Sequence, residues 1–181
     1  MPERKKSERI VMLEARLERL SPENNWHIIR ISRDAVSNFN FQKANRRVVC
    51  TINAKERFQC ALMPFDGDFF IMVNKQIRRR LSIADGDRLT VTIEKDNSRY
   101  GLPISAELRE VLRQDPEGSH LFHSLTPGKQ RSIIHYVGKI KDIDRRIGAA
   151  LNFIKHLKKN NGRIDRKALL NELTRPAPDI A

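Results

Sequence analysis

The sequence predicts an α+β protein, β-rich through about its first hundred residues and all-α after them, on three observations. Arg88–Glu94 alternates strictly: Leu89, Val91 and Ile93 point one way and Thr90, Thr92 and Glu94 the other, as in a half-buried strand. Phe69–Val73 is a short aromatic and β-branched run bounded by Asp66-Gly67 and Asn74, which marks a buried strand. From Ala106 onward the apolar residues recur instead at helical spacing.

The stretch Asp66–Glu94 organises the β-rich part. Asp66-Gly67 is a turn signal, because Gly reaches positive φ at no steric cost. Asn74 is placed to cap a helix over Lys75–Leu81 by accepting a hydrogen bond from a first-turn N–H. Ala84-Asp85-Gly86-Asp87 then turns the chain into the alternating strand. Upstream, Ile10–Leu20 fits two readings. Val11, Leu13, Ala15 and Leu17 alternate as in a strand, whereas Ile10, Leu13, Leu17 and Leu20 fit a helix rich in good helix formers. Ser21–Asn25 is a turn, Trp26–Ile31 a strand, and Ser32 caps a short helix to about Phe39. Asn40–Ala44 loops into a central hairpin.

That hairpin carries a register argument. Pairing Asn53 with Arg57 sets Ile52 opposite Phe58, Cys50 opposite Cys60 and Val48 opposite Leu62, all apolar and on one face. A slip of one residue would turn that face to solvent. The same register puts the two Cys side by side. Neither Cys-x-x-Cys spacing nor a neighbouring His accompanies them, so two reduced buried thiols outweigh a redox pair or a metal site.

After Glu94 the polar run Lys95–Ser98 and then Tyr100–Pro103 leave the β-rich part. Ser105 is an N-cap for a helix over about Ala106–Gln114, and Asp115-Pro116-Glu117-Gly118 marks a boundary. His120–Ser124 reads as a helical turn, and Thr126-Pro127 starts a helix running through Ile133, Ile134, Val137 and Ile140. From Lys139 to Lys159, Ile140, Ile143, Ile147, Ala150, Leu151, Ile154 and Leu157 share one broad face. Lys141, Arg145, Lys155 and Lys159 share the opposite sector, with Gly148 and Asn152 between them. Gly162 ends this helix, and Ile164–Leu173 supplies a last one. The expected segments are a β domain over 1–100, a helical linker over 101–118, a helical domain over 119–175 and a tail over 176–181.

Charge narrows the partners. Thirty-five Lys and Arg against 22 Asp and Glu give +13. Residues 1–120 hold 22 basic and 17 acidic groups and residues 121–181 hold 13 and 5, so the last third carries most of the excess. Such a field favours nucleic acid or an acidic protein as partner. The stripe of Lys141, Arg145, Lys155 and Lys159 suits successive phosphates, with release of counterions. A solvated helix face explains it about as well. Arg78-Arg79-Arg80 is a second cluster, of which at most two side chains can serve one surface. His27, His120, His123, His135 and His156 form no His-x-x-x-His pair, and glycine-rich phosphate loops and nucleophile elbows are absent from the sequence. No catalytic residue, metal or cofactor is therefore assigned. No apolar run approaches the roughly 18 residues of a membrane span, and no signal-peptide pattern is present, so the expectation is a soluble cytoplasmic protein.

The pieces RRVVCTINAKERFQCALMP, DGDFFIMVNKQIRRRLSI, DGDRLTVTIEKD, LTPGKQRSIIHYVGKIK and DRRI, in that order, resemble the YdeI/OmpD-associated, or bacteriocin-protection, family of bacterial proteins from about residue 8 to 173. The resemblance implies a small N-terminal β-barrel with inserted short helices, then an all-α helical domain, and makes Ile10–Leu20 the first barrel strand. It implies no catalytic residues. The family pattern often has Gly where Ala54 stands, which argues against a tight type I′ turn here. The Arg-rich capped helix followed by Gly-Asp and an alternating strand is also similar to AbrB-type and MazE-type half-barrels. In those, basic residues near the equivalent unit contact DNA, a likeness that points to Arg78 and Arg79. The reading is a non-enzymatic, intracellular binding or stress-associated protein with nucleic acid as favoured partner. Its alternatives are a protein–protein interaction module of the bacteriocin-protection type and a small-molecule-binding or enzymatic barrel. The sequence fixes no oligomeric state.

Overall fold

The computed structural model describes residues 10–23, 25–41 and 46–173; the expected tail over 176–181 and most of the loop Asn40–Ala44 lie outside them. The chain divides into two compact units, Met1–Gly101 and Leu102–Ala181.

The first unit is a curled antiparallel half-barrel of seven strands: β1 (Val11–Arg19), β2 (His27–Ile31), β3 (Arg47–Ile52), β4 (Glu56–Ala61), β5 (Met63–Phe65), β6 (Asp68–Val73) and β7 (Arg88–Lys95). Their order is β4-β3-β7-β1-β2-β6-β5. Ile10–Leu20 is thus resolved as strand, since pairing on both sides with β2 and β7 overrides its helix propensity. A 3-10 helix, Asp34–Phe39, follows β2, and the Ser32 hydroxyl accepts the Ala35 N–H at 3.3 Å. The inward residues Leu17, Ile29, Ile31, Cys50, Ile52, Ile71, Val73, Leu89, Val91 and Ile93 form one core. Each such Leu, Ile or Val contributes about 1.5–3 kcal/mol by leaving water.

Between β6 and β7 the chain forms α1 (Lys75–Leu81), which contacts β4, and β7 then takes the middle of the sheet, between β1 and β3. The Asn74 side chain accepts the Ile77 N–H at 2.9 Å, and Ile77 plugs α1 into the core. Ser82, at φ 53, ends the helix by letting the Ile83 N–H reach the Arg78 carbonyl. Gly86, at φ 90, turns the chain so that its N–H donates to Leu17 O at 2.7 Å, while the Leu17 N–H donates to Asp87 O at 3.0 Å. The turn is thereby fastened to β1.

The central hairpin keeps the predicted faces but not the predicted partners. Ile52 pairs with Glu56, Cys50 with Phe58 and Val48 with Cys60, two residues from the expected register. A shift of two leaves every side chain on its own face, so the hydrophobic pattern is blind to it. The turn decides. Asn53 and Ala54 both take positive φ, 50 and 52, and the Lys55 N–H donates to Ile52 O at 3.0 Å, the type I′ pattern that Ala54 argued against. Asn53 compensates by bracketing Thr90 of β7: its N–H donates to Thr90 O and its side-chain oxygen accepts the Thr90 N–H. Cys50 is fully buried and Cys60 half-buried, diagonal rather than directly opposed, and both are free thiols. A hydrogen bond with Cys60, together with burial, pushes the Cys50 thiol well above the ordinary range.

The second unit contains α2 (Ala106–Gln114), α3 (Pro116–Ser124), α4 (Pro127–Lys139), α5 (Ile143–Lys159) and α6 (Arg166–Leu173), with α5 packed against all the others. α2, expected in a linker, packs along α5 within this unit. Asp115-Pro116-Glu117-Gly118 is a helix start rather than a boundary. Asp115 accepts the Gly118 N–H at 2.8 Å and Pro116 occupies the first turn of α3, where its missing donor costs nothing. Ser105 caps α2 as expected, whereas the Thr126 hydroxyl makes no capping bond to α4. Gly118 lies against α5, and a Cβ there would fall 2.2 Å from Cγ2 of Ile154.

Candidate functional site

The predicted basic stripe assumed one helix from Lys139 to Lys159. The chain instead breaks at Ile140–Asp142, because Asp142 restarts it by accepting the Arg145 N–H at 2.8 Å. Arg146 holds the break together: its Nε donates to Ile140 O, one terminal nitrogen to Lys141 O, and the other to Glu107 of α2 at 2.9 Å. That ion pair is half-buried, with side-chain exposures of 21% and 15%, so it pins α2 to the α4–α5 corner. The Glu107 carboxyl is held below its ordinary range, first by its own backbone N–H and then by Arg146.

The break removes Lys141 from α5 and leaves it exposed in the corner beside Arg145, which is exposed in the first turn. Lys155 and Lys159 lie on the last turns, and Arg145 and Lys155 are roughly 15 Å apart along the axis. Between these pairs the supposed polar sector is covered. Gly148 is buried, and half-buried Asn152 donates to the Glu172 carbonyl of α6. The opposite expectation also fails at one end, since Ile143, placed on the inner face, is 60% exposed. The two ends therefore form two basic patches instead of one stripe.

At the C-terminal end of α5 the basic groups rim a groove of about 630 Å³ between α2 and α5. Its floor is apolar, with Val111, Leu151 and Ile154, and Lys155, Lys158 and Lys159 stand around it. Lys158 is engaged by Glu117 at 3.0 Å and Asp115 at 3.1 Å, which raise its pKa. Lys159 reaches Glu172 at 3.6 Å. Lys141, Arg145 and Lys155 make no ion pair among the described residues. Lys158 was not singled out from the sequence, since its link to the start of α3 spans 43 residues and has no local signature.

Behind the groove, buried His156 is spent on the fold. Its Nδ1 lies 2.7 Å from Glu172, and its Nε2 accepts the Asp165 N–H at 3.1 Å, so Nδ1 carries the proton and donates. Both nitrogens are committed to holding α6 on α5, leaving neither for a metal or a general base. Among the described residues, no group of three or more His, Cys, Asp or Glu is placed to hold a metal ion.

In the first unit, Arg78 is half-buried and Arg79 exposed on α1, while Arg80 turns to Glu56 of β4 at 2.6 Å. The three consecutive guanidinium groups thus diverge. Arg78 and Arg79 have no ion partner among the described residues.

Among the described residues no helix is long and apolar enough to cross a membrane. Two family models match the sequence. Residues 14–93, within the half-barrel, match a domain of unknown function, DUF1905. Residues 102–160, within the helical unit, match the model described as "Bacteriocin-protection, YdeI or OmpD-Associated". No curated protein matches the chain. The resemblance read from the sequence as one family over most of the chain therefore divides near residue 100 into two models. Over residues 102–160 the chain is thus similar to the bacteriocin-protection, YdeI or OmpD-associated family.

Proposed function

We propose that this is a non-enzymatic cytoplasmic binding protein whose helical unit holds an anionic partner, nucleic acid, through Lys141, Arg145 and Lys155. The observation that carries the reading is that these three cations are exposed and make no ion pair among the described residues, in the third of the chain that holds most of the excess positive charge. A cation already paired gains little from a phosphate, whereas a free one releases a condensed counterion. The distance of roughly 15 Å between the two patches suits contacts several phosphates apart. Arg78 and Arg79 are a second, barrel-borne candidate that rests on the likeness to AbrB-type proteins.

The apolar floor of the groove favours a second reading. Val111, Leu151 and Ile154 under Lys155 and Lys159 suit an acidic, amphipathic protein segment. Fluorescence anisotropy with the intact chain separates the two. Nucleic-acid binding predicts a Kd of roughly 1–100 μM for duplex at near-physiological salt, weakened in K141Q/R145Q/K155Q. The protein-partner reading predicts no duplex binding in either protein.

A further inference from the structure

The half-barrel carries two arginines with an unusual arrangement. The guanidinium of Arg33 lies 5.3 Å from the ring centroid of Phe69 and that of Arg46 lies 5.7 Å from the same centroid. Phe69 is itself held in the core on β6, with Ile31 and Pro64 as strand partners, so it is a fixed platform. Each arginine is oriented by one bond to the backbone: Arg33 Nε donates to Gly67 O at 2.7 Å and Arg46 Nε to Leu62 O at 3.4 Å. Asp68 accepts the Arg33 backbone N–H through one carboxylate oxygen at 2.9 Å. Neither Asp68 nor any other acidic group among the described residues forms an ion pair with either guanidinium. Beside them is a cavity of about 280 Å³ with Val36, Phe41 and Phe69 as apolar walls and Asn40 at its edge.

Two like charges on one ring repel each other, and the group that complements them is an anion. A single guanidinium fork satisfies the two oxygens of a carboxylate, whereas a phosphate offers three oxygens and can accept from two forks at once. We propose that Arg33 and Arg46, stacked on Phe69, form a phosphate-binding site that accepts the phosphate of a nucleotide, with the apolar walls beside it for the sugar or base. The site uses none of the residues invoked for the helical unit, so the two readings fail separately. The phosphate belongs either to a free mononucleotide or to a nucleic-acid strand.

The test uses the intact chain, labelled with ¹⁵N and followed at the arginine Nε–H signals during titration with inorganic phosphate, AMP and a single-stranded oligothymidylate. The Arg33 and Arg46 signals are expected to move together along one saturable curve. R33Q and R46Q each weaken it about ten- to a hundredfold, the loss of a charge-assisted pair. R46K keeps the charge but loses the fork, and falls between the parent and R46Q. R99Q, an arginine stacked on Tyr100, leaves the curve unchanged. Saturation by phosphate or AMP identifies a free ligand, and saturation by the oligothymidylate alone assigns the site to a strand; both outcomes support it. No saturable movement with any of the three probes, or undiminished affinity in R33Q and R46Q, overturns the proposal.

Discussion

Replacing Gly118 by Ala adds one methyl group where α3 packs against α5. The new Cβ would stand 2.2 Å from Ile154 Cγ2 and 3.1 Å from the Asp115 carboxyl carbon. Carbon atoms rest at about 3.5–4.0 Å, so α3 and α5 must separate by roughly 1.5 Å or Ile154 must leave its rotamer. Ile154 is 3% exposed and β-branched, so moving its Cγ2 aside means leaving a preferred χ1 rotamer. Overpacking of this kind costs about 1–3 kcal/mol, which outweighs the gain of under about 1 kcal/mol that Ala brings to a helix. The net cost centres on about 1 kcal/mol, and each kcal/mol shifts the midpoint of a domain this size by about 4–8 °C, so G118A should melt about 4–8 °C lower by circular dichroism at 222 nm. G138A is the control: Gly138 lies in α4 with nothing within 4 Å of its added Cβ, and that variant should melt at or above the parent temperature. In the background of I154A, which removes the clashing methyl, G118A should cost nothing further, since its Cβ enters the space vacated. Equal melting of G118A and G138A would refute the close α3–α5 contact.

Two more outcomes follow from the packing. The Glu172 carboxyl is held below its ordinary value of 4.5 by His156 first, with burial opposing and Lys159 assisting. A depressed folded value means that its contribution is present in full above 4.5 and is lost as pH falls through the folded value. E172Q should therefore melt below the parent at pH 7, and the gap should close on acidification below the ordinary carboxylate range; a gap independent of pH would show that the His156 contact contributes nothing through charge. Thiol labelling of the native protein should modify half-buried Cys60 first and fully buried Cys50 only at the rate of unfolding, whereas rapid labelling of Cys50 would contradict the packing of β3 against β7.

The parts that the sequence disclosed were those specified locally. Asn74 and Ser105 are caps whose partners lie three residues on, and Leu89, Val91 and Ile93 face the core because strand alternation admits no other arrangement. The hairpin register escaped because a two-residue shift preserves both faces, and only the positive φ of Asn53 and Ala54 discriminates between them. The short edge strand Met63–Phe65 escaped because its Pro64 argues against strand and its residues are all exposed. The basic stripe was over-read for a different reason. A helical wheel takes no account of a capping Asp, so the break at Asp142 passed for a continuous turn, and buried Gly148 and half-buried Asn152 passed for solvated positions. Lys158 and its partners in α3, and Arg33 with Arg46 on Phe69, are brought together only by the fold.

The central claim, that free cations of the helical unit hold phosphates, is tested most directly by the salt dependence of duplex binding. Three contacts through Lys141, Arg145 and Lys155 predict that log K falls with log[salt] at a slope of roughly −2 to −3. K155Q should flatten the slope by about one unit and K141Q/R145Q by about two, with each melting temperature almost unchanged because exposed charges contribute under about 1 kcal/mol. A slope that none of these substitutions alters, or no binding of duplex and single-stranded probes at near-physiological salt, would contradict it.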